Sequence, residues 1–146
     1  MRTLVLRVAD QRNGYSIELL EETWDGGGTL TAAKVASAEL PASLVPAQEV
    51  RRPNGEILTA ARVRELYSAM TGDSDEYEAL GEFVFRLLER GKIATEWRQR
   101  RGEVACTMLD IAPGLRDLHA LPWELMYDPD TGTHLFLDAV PMLRGV

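Results

Sequence analysis

The sequence predicts an α/β or α+β fold in which a mixed sheet with two hairpins packs against two to three helices. Alternating apolar residues near both ends of the chain indicate strands, whereas apolar spacings of three and four between residues 59 and 101 indicate helices. Of the 146 residues, 45% are hydrophobic and 27% are charged, which is the composition of one globular domain. A chain of this length can bury a core without disulfides or metals.

An antiparallel hairpin is expected at the start of the chain. Leu4, Leu6 and Val8 lie at alternate positions, and a second alternating run follows the Asn13-Gly14 pair. Asn-Gly between two such runs is a strong hairpin signal. Residues 25–28, Asp-Gly-Gly-Gly, then predict a flexible turn rather than a phosphate-binding loop, because no Lys follows the last glycine. Three prolines between residues 40 and 53 predict an extended connection, preceded by one short strand at residues 35–40.

Three helical segments are expected in the middle of the chain. The first starts near Thr59 and ends at Gly72, and the second starts with a capping-box pattern at Asp75 and ends at Gly91. Residues 92–101 form the third, shorter helix, which packs by two apolar side chains. The apolar residues are Val63, Leu66, Tyr67 and Met70 in the first helix, Tyr77, Leu80, Val84, Leu87 and Leu88 in the second, and Ile93 and Trp97 in the third.

Strand character returns after Gly102. Residues 104–111 carry apolar side chains on both faces, which predicts a central strand. A short leucine-rich connector follows, with Leu115, Leu118 and Leu121. A second hairpin is then expected, with residues 122–127 as its first strand, residues 128–132 as its turn and residues 134–137 as its return strand.

Charge and cysteine content exclude several functions. The 16 Lys and Arg residues against 23 Asp and Glu give a net charge of −7, which argues against nucleic-acid binding. The one basic cluster, Arg98, Arg100 and Arg101, is flanked by acidic residues. No apolar run is long enough for a signal peptide or a membrane span, so we expect a cytoplasmic protein without a membrane partner. A single cysteine excludes an internal disulfide and a multi-cysteine zinc site, and no cofactor is expected.

Cys106, His119 and His134 are the candidates for nucleophilic chemistry. A histidine that activates a cysteine thiolate would make a thiol hydrolase. However, Cys106 lies within an apolar strand, where a small buried thiol is commoner than a nucleophile. Asp128 and Asp130 fit Asx hydrogen bonds in a turn better than they fit a metal site. The residues by themselves therefore predict no catalytic, cofactor-binding or metal site.

Residues 115–128, Leu-Arg-Asp-Leu-His-Ala-Leu-Pro-Trp-Glu-Leu-Met-Tyr-Asp, resemble the hallmark block of the CHAT family. These caspase-like domains are often found beside tetratricopeptide repeats. The resemblance covers roughly residues 75–146, and residues 1–74 match only loosely, as a variable N-terminal extension with a strand hairpin, a connection and the first helix. Other matching positions are Leu80-Gly81, Phe85, Trp97, the strand ending at residues 110–115, and Arg144 at the closing position.

The resemblance implies a partial caspase-like architecture and a parent protein that is a cysteine peptidase. Catalysis in the family resembles that of caspases and separase, with a histidine in a His-Gly step and a cysteine at the end of the next strand. Neither motif occurs in this chain, and Cys106 and His119 both precede the positions of that dyad. The chain alone is therefore expected to be inactive, and to complete the sheet and shape or regulate the peptide cleft of its parent.

The family-motif residues with an expected structural or interaction role are Leu121, Pro122, Trp123, Glu124, Asp128 and Arg144. Pro122 fixes φ where a strand begins, and Trp123 brings a large apolar area and an N–H donor that needs a partner. Glu124, on the opposite face of that strand, is expected to accept from backbone N–H groups or from an arginine such as Arg144. An architectural role for Trp123 and Glu124 is favoured over a direct role in recognition.

The expected partner is the catalytic half of the parent protein or another protein chain. An unpaired sheet edge near residues 140–146 would bind it by strand addition, or would form a homodimer by edge-strand pairing. The alternative function is a stand-alone protein–protein interaction module without peptidase activity. A third hypothesis is an independent thiol hydrolase that uses Cys106.

Overall fold

The computed structural model describes residues 2–69, 74–100, 102, 106–134 and 142–144. These residues form one five-stranded sheet, one short hairpin and several helices. The elements in chain order are β1 (Arg2–Gln11), β2 (Gly14–Trp24), β3 (Leu30–Pro41), α1 (Ala60–Ser68), α2 (Ser74–Leu88), α3 (Ile93–Arg100), β4 (Cys106–Ile111), α4 (Arg116–His119), a 3-10 turn (Trp123–Leu125), β5 (Tyr127–Asp128), β6 (Thr133–His134) and β7 (Met142–Arg144).

The main sheet is mixed, as the sequence predicts. Its strand order is β3-β2-β1-β4-β7, with β1 antiparallel to β2 and parallel to β4, and with β4 parallel to β7. The central position of β4 confirms the prediction made from its apolar residues on both faces. Strands from residues 1–74 and from residues 75–146 therefore share one sheet.

The first hairpin forms at the predicted place. Gln11 pairs with Gly14 across the turn, and Asn13 adopts a positive φ of 68°. The strand expected at residues 35–40 is longer than predicted, because β3 starts at Leu30 and pairs with β2 over its whole length. Residues 30–34 lack an alternating apolar pattern since they are exposed on both faces, so the sequence gives no strand signal there.

The helices start close to the expected residues, but α1 and α2 both end earlier than expected. Thr59 caps α1, and its Oγ1 accepts a hydrogen bond from the Arg62 N–H at 3.2 Å. Helix α1 ends at Ser68, where the N–H of its C-cap residue Ala69 donates to the Glu65 carbonyl, so it stops before the expected Gly72, which itself lies outside the described residues. Helix α2 ends at Leu88 rather than at Gly91, which lies in the connection to α3 with a φ of 56°. Glycine tolerates this left-handed conformation without a steric cost, so it marks the loop rather than the last helical turn.

One face of the sheet and the helices bury a common core. Leu4, Leu6 and Val8 of β1 point to this face, and Ile17 and Leu19 of β2 lie beside them. The leucine-rich connector contains the short helix α4, whose Leu118 is fully buried. No helix among the described residues has the length and apolarity needed to span a membrane.

Candidate functional site

The family-motif residues form a tight turn, which corrects the strand expected at residues 122–127. The backbone N–H of Leu125 donates to the Pro122 carbonyl at 3.0 Å, and that of Met126 donates to the Trp123 carbonyl at 3.1 Å. These bonds between residues three apart define the 3-10 turn Trp123–Leu125, which we call the Trp123 turn. Pro122 supplies the φ of −84° that precedes it. Only Tyr127 and Asp128 are left to form strand β5, which pairs with β6 in the expected second hairpin.

Trp123 anchors this turn in the core. Its side chain is fully buried, and its indole Nε1 donates to the Leu118 carbonyl oxygen at 2.7 Å. A buried indole N–H without a partner would cost free energy, so this bond allows the large side chain to be buried. Leu121 and Pro122 are also buried. The predicted need of Trp123 for a hydrogen-bond acceptor is therefore confirmed, and the acceptor belongs to α4.

The Trp123 turn rests directly on helix α2 at Gly81. A Cβ atom at position 81 would overlap the Leu125 carbonyl oxygen and would lie 2.8 Å from the Leu125 carbonyl carbon. Real Cβ atoms essentially never come so close to a carbonyl group. The glycine of the Leu80-Gly81 pair is thus the residue that lets the helix and the turn touch.

Asp128 follows the turn and forms a two-point ion pair with α3. Its carboxylate oxygens accept from Arg98 Nε at 2.7 Å and from Arg98 Nη2 at 2.8 Å, and one of them also accepts from the Asp130 backbone N–H at 3.0 Å. Asp128 is only 1% exposed. Burial acts to raise the pKa of Asp128, but the hydrogen bonds from Arg98 and Asp130 outweigh it, so the pKa lies below its usual value.

Arg98 is held on three sides. Besides Asp128, it donates to Asp130 Oδ2 at 3.0 Å, and its guanidinium carbon lies 4.9 Å from the centre of the Phe85 ring. The hydrogen bond to Asp128 raises the pKa of Arg98 further above its ordinary value. A planar guanidinium that pairs with a carboxylate at two points and stacks on an aromatic ring is a geometry that lysine cannot reproduce.

A second arginine, Arg86 of α2, lies beside this ion pair. It is 7% exposed, donates from Nη1 to Glu89 Oε2 at 2.6 Å, and has Asp130 Oδ1 at 3.9 Å from its Nη2. Its Nε has no hydrogen-bond partner among the described residues, and Glu82 Oε2 lies 3.7 Å away from it. Burial raises the pKa of Glu82, although Arg86 acts in the opposite direction. We refer to Arg86, Arg98, Asp128 and Asp130 as the ion-pair cluster.

The ion-pair cluster is suited to holding elements together rather than to acid–base chemistry. Both oxygens of Asp128 are occupied by an arginine that stays charged at every accessible pH, so this carboxylate is a poor general base. The cluster joins α2, α3 and the hairpin of β5 and β6. Local sequence patterns do not reveal it, because Arg98 and Asp128 lie 30 residues apart and the only signal is the basic cluster with acidic neighbours.

The remaining candidate residues are not brought into this cluster. His119 ends α4, is half-buried, and has its Nε2 at 3.1 Å from the Ala112 carbonyl oxygen. Cys106 begins β4 opposite Thr3, His134 pairs with Tyr127, and Arg144 pairs with Leu109 in β7. The contact expected between Glu124 and the Arg144 side chain falls outside what the structure describes. Glu124 is half-buried in the Trp123 turn, not on a strand face as predicted, because residues 122–126 curl into the 3-10 turn.

The two described arginines of the basic cluster, Arg98 and Arg100, both pair with acidic residues. Arg100 donates to Glu21 Oε2 of β2 at 2.6 Å and to Glu96 Oε2 at 3.1 Å, so it ties α3 to the sheet. Arg98 is bound in the ion-pair cluster, and Arg101 lies outside the described residues. A positive surface that would bind phosphates is therefore not formed by Arg98 and Arg100.

An apolar cleft of about 370 Å³ lies elsewhere, between the β3–α1 connection and the start of α1. Val45 and Ile57, exposed by 54% and 48%, lie on its wall. The other apolar residues that line it are Leu44, Pro46, Leu58 and Ala60.

Among the residues that the structure describes, no group of three or more His, Cys, Asp or Glu side chains is placed to hold a metal ion. Comparison of the chain with protein-family models, with curated proteins and with solved structures finds no match.

Proposed function

We propose that this chain is the N-terminal, non-catalytic part of a CHAT-type caspase-like cysteine peptidase. In this proposal it completes the sheet of the parent protein and shapes or regulates its peptide cleft. The parent supplies the histidine and cysteine of catalysis, and the present chain alone has no peptidase activity. Its partner is the catalytic half of the parent or another protein chain in the cytoplasm, without a cofactor.

The observation that carries the proposal is the joint packing of the motif residues. Residues that the resemblance singles out at separate places in the sequence, Gly81, Trp123 and Asp128, meet in one unit: Gly81 receives the Trp123 turn, and Asp128 is fixed to α3 directly after it. Phe85 and Trp97 lie in the same region, Phe85 under the Arg98 guanidinium and Trp97 buried in α3. A motif that builds one rigid unit in this way favours an architectural role over substrate contact.

The sheet offers a place for the partner to bind. Strand β7 lies at one end of the strand order, parallel to β4, and among the described residues no strand pairs with its other side. Backbone N–H and C=O groups on such an edge accept a further strand. The sequence predicts an unpaired edge near residues 140–146, and strand β7 (Met142–Arg144) falls in that range.

The experiment that tests the proposal starts from the native gene. We expect the open reading frame to continue past Val146 into a strand with His-Gly and a later strand that ends in cysteine. The full-length product should then cleave peptides, and iodoacetamide should abolish this cleavage while the Cys106→Ser variant retains it. A stop codon directly after Val146 would contradict the proposal.

A stand-alone interaction module is the second candidate, and the apolar cleft beside Val45 and Ile57 favours it. It predicts a cooperatively folded protein whose binding of another protein is insensitive to thiol blockers. The independent thiol hydrolase is tested by the same reagent: rapid alkylation of Cys106 in the native protein would support it, whereas inertness until unfolding would support the two non-catalytic functions.

A further inference from the structure

The hairpin of β2 and β3 extends beyond the region that the helices cover. Every residue from Trp24 to Lys34 is exposed, whereas Leu19 and Leu40, nearer the other end of the hairpin, are buried. Glu21, which accepts from Arg100 of α3, marks the place where the covered part ends. We refer to residues 24–34 as the arm.

The tip of the arm is ordered in spite of its three glycines. The Asp25 carboxylate accepts hydrogen bonds from the backbone N–H groups of Gly27 at 2.8 Å and of Thr29 at 2.9 Å. The Asp25 N–H donates to the Thr29 carbonyl at 3.1 Å, which closes the turn. Because the turn is already fixed, binding through the arm requires little further ordering of its backbone.

One side of the arm is an open strand edge. Strand β3 is the terminal strand of the sheet, and among the described residues no strand pairs with it on the side away from β2. About half of the backbone N–H and C=O groups of such a strand point outward. The edge residues of the arm are small in the middle, with Thr31, Ala32 and Ala33 between Leu30 and Lys34.

Exposed apolar side chains lie next to this edge. Trp24 and Leu30 face each other across β2 and β3, and they are 44% and 43% exposed. They share the sheet face that is opposite the core with Ala32 and Lys34, because side chains two residues apart in a strand point the same way. An aromatic residue beside unpaired backbone groups is typical of a protein-binding surface.

We propose that a second copy of this chain binds the arm, through antiparallel pairing of the two β3 edges about a two-fold axis at Ala32. In this register each Ala32 opposes its counterpart, Thr31 opposes the second copy's Ala33, and Leu30 opposes the second copy's Lys34. Residues that oppose each other across the two β3 strands point to the same sheet face. The two sheets therefore join into one, with both cores on the same side.

Charge favours this occupant. Lys34 is the only charged residue in the paired segment, and in the free chain its Nζ lies 3.6 Å from Glu18 Oε2. In the paired register, Lys34 of one copy lies opposite Leu30 of the other, on the same sheet face as the carboxylate of that copy's Glu22, which is paired with Ala32. No like charges face each other directly, and this is a condition for stable cross-strand pairs.

The test is the oligomeric state of the full chain, measured by size-exclusion chromatography with light scattering. The wild type should approach twice the monomer mass of 16.3 kDa as its concentration rises. Ala32→Glu places two like charges opposite each other and should weaken the dimer roughly tenfold or more. Ala32→Lys should weaken it less, because Glu22 faces position 32 within each hairpin, and an equimolar mixture of the two variants should restore the dimer, because unlike charges then face each other.

Ala61→Glu is the matched control, because Ala61 is an exposed alanine of α1 far along the chain from the edge. It should leave the dimer unchanged, and circular dichroism should show the same folded content in all variants. A strictly monomeric wild type would overturn the proposal. So would a dimer that survives Ala32→Glu, which would place the interface elsewhere, for example at β7, or a mixture of the charged variants that fails to pair.

Discussion

Gly81 of α2 faces the Leu125 carbonyl group with no room for a side chain between them. A Cβ atom at position 81 would lie 2.8 Å from the Leu125 carbonyl carbon and closer still to its oxygen. At this contact the Trp123 turn presents its backbone carbonyl to a glycine. No side chain can therefore rotate to make room. The distance between α2 and the turn is therefore set by the absence of one methyl group.

We expect Gly81→Ala to lower the free energy of unfolding by about 1–3 kcal/mol, because the methyl group must push the Trp123 turn away from the helix. The higher helix propensity of alanine, worth roughly 1 kcal/mol, only partly offsets this. Urea unfolding followed by circular dichroism measures the change. Gly26→Ala is the control, since nothing lies within 4 Å of a Cβ there. Equal stability of the two variants would contradict the described contact.

Asp128→Asn should destabilise the protein by about 2–3 kcal/mol, because it removes the buried carboxylate that binds Arg98 at two points and leaves the half-buried guanidinium with only the exposed Asp130 as a charged partner. Asp10→Asn, at an exposed position, should have little effect. Chemical denaturation of both variants under the same conditions gives the comparison. If they prove equally stable, Asp128 does not hold the hairpin to α3.

The pH dependence of the free energy of unfolding should show the titration of the Asp128 carboxylate. The pKa of Asp128 in the folded protein lies below the ordinary value of 3.8, so in acid the unfolded state binds the proton first. The stabilisation by Asp128 is therefore fully present above that value and is lost as the pH falls through the folded pKa. The difference in unfolding free energy between wild type and Asp128→Asn should stay constant from about pH 7 to pH 5 and shrink below about pH 4. A difference that grows in acid would refute this assignment.

Trp123→Phe should cost about 1–3 kcal/mol, because phenylalanine cannot donate to the Leu118 carbonyl, which keeps only backbone partners such as the Leu121 N–H at 3.1 Å, and because the smaller ring leaves a void in the core. The wavelength of tryptophan emission gives an independent check that Trp123 is buried. Trp123 is fully buried and Trp24 is 44% exposed, so Trp123→Phe should shift the remaining emission to the red, whereas Trp24→Phe should shift it to the blue. Trp24→Phe should also leave the unfolding midpoint almost unchanged.

Local patterns in the sequence are enough to predict most of the elements. Asn13-Gly14 marks the first hairpin, the stripe through Leu80 and Leu87 marks α2, and Ile93 with Trp97 marks α3. Each of these signals depends on residues that are close together in the chain, and each is confirmed. The short helix α4 and the full length of β3 are missed, because four residues give too little periodicity and an exposed strand has no apolar alternation.

The sequence predicts part of the candidate site but not its geometry. The motif singles out Trp123, Glu124 and Asp128 but not Arg98, and it predicts a strand where the chain forms a 3-10 turn. The turn depends on Gly81, more than forty residues away, which lets the Leu125 carbonyl approach α2. The pairing of Asp128 with Arg98 likewise depends on how α3 packs against the rest of the fold. Long-range packing of this kind leaves no local pattern.

The parallel pairing of β1 with β4 has a consequence during synthesis. Arg7 and Asp110, which form an ion pair across these strands, are separated by 103 residues. A ribosome needs roughly 5–20 s to make that length of chain. During this interval β1, β2 and β3 can already form a hairpin sheet, while the side of β1 that later receives β4 stays open. The nascent chain therefore carries a temporary binding surface along β1, and its last strands must compete there with any chaperone or neighbouring chain that arrives first.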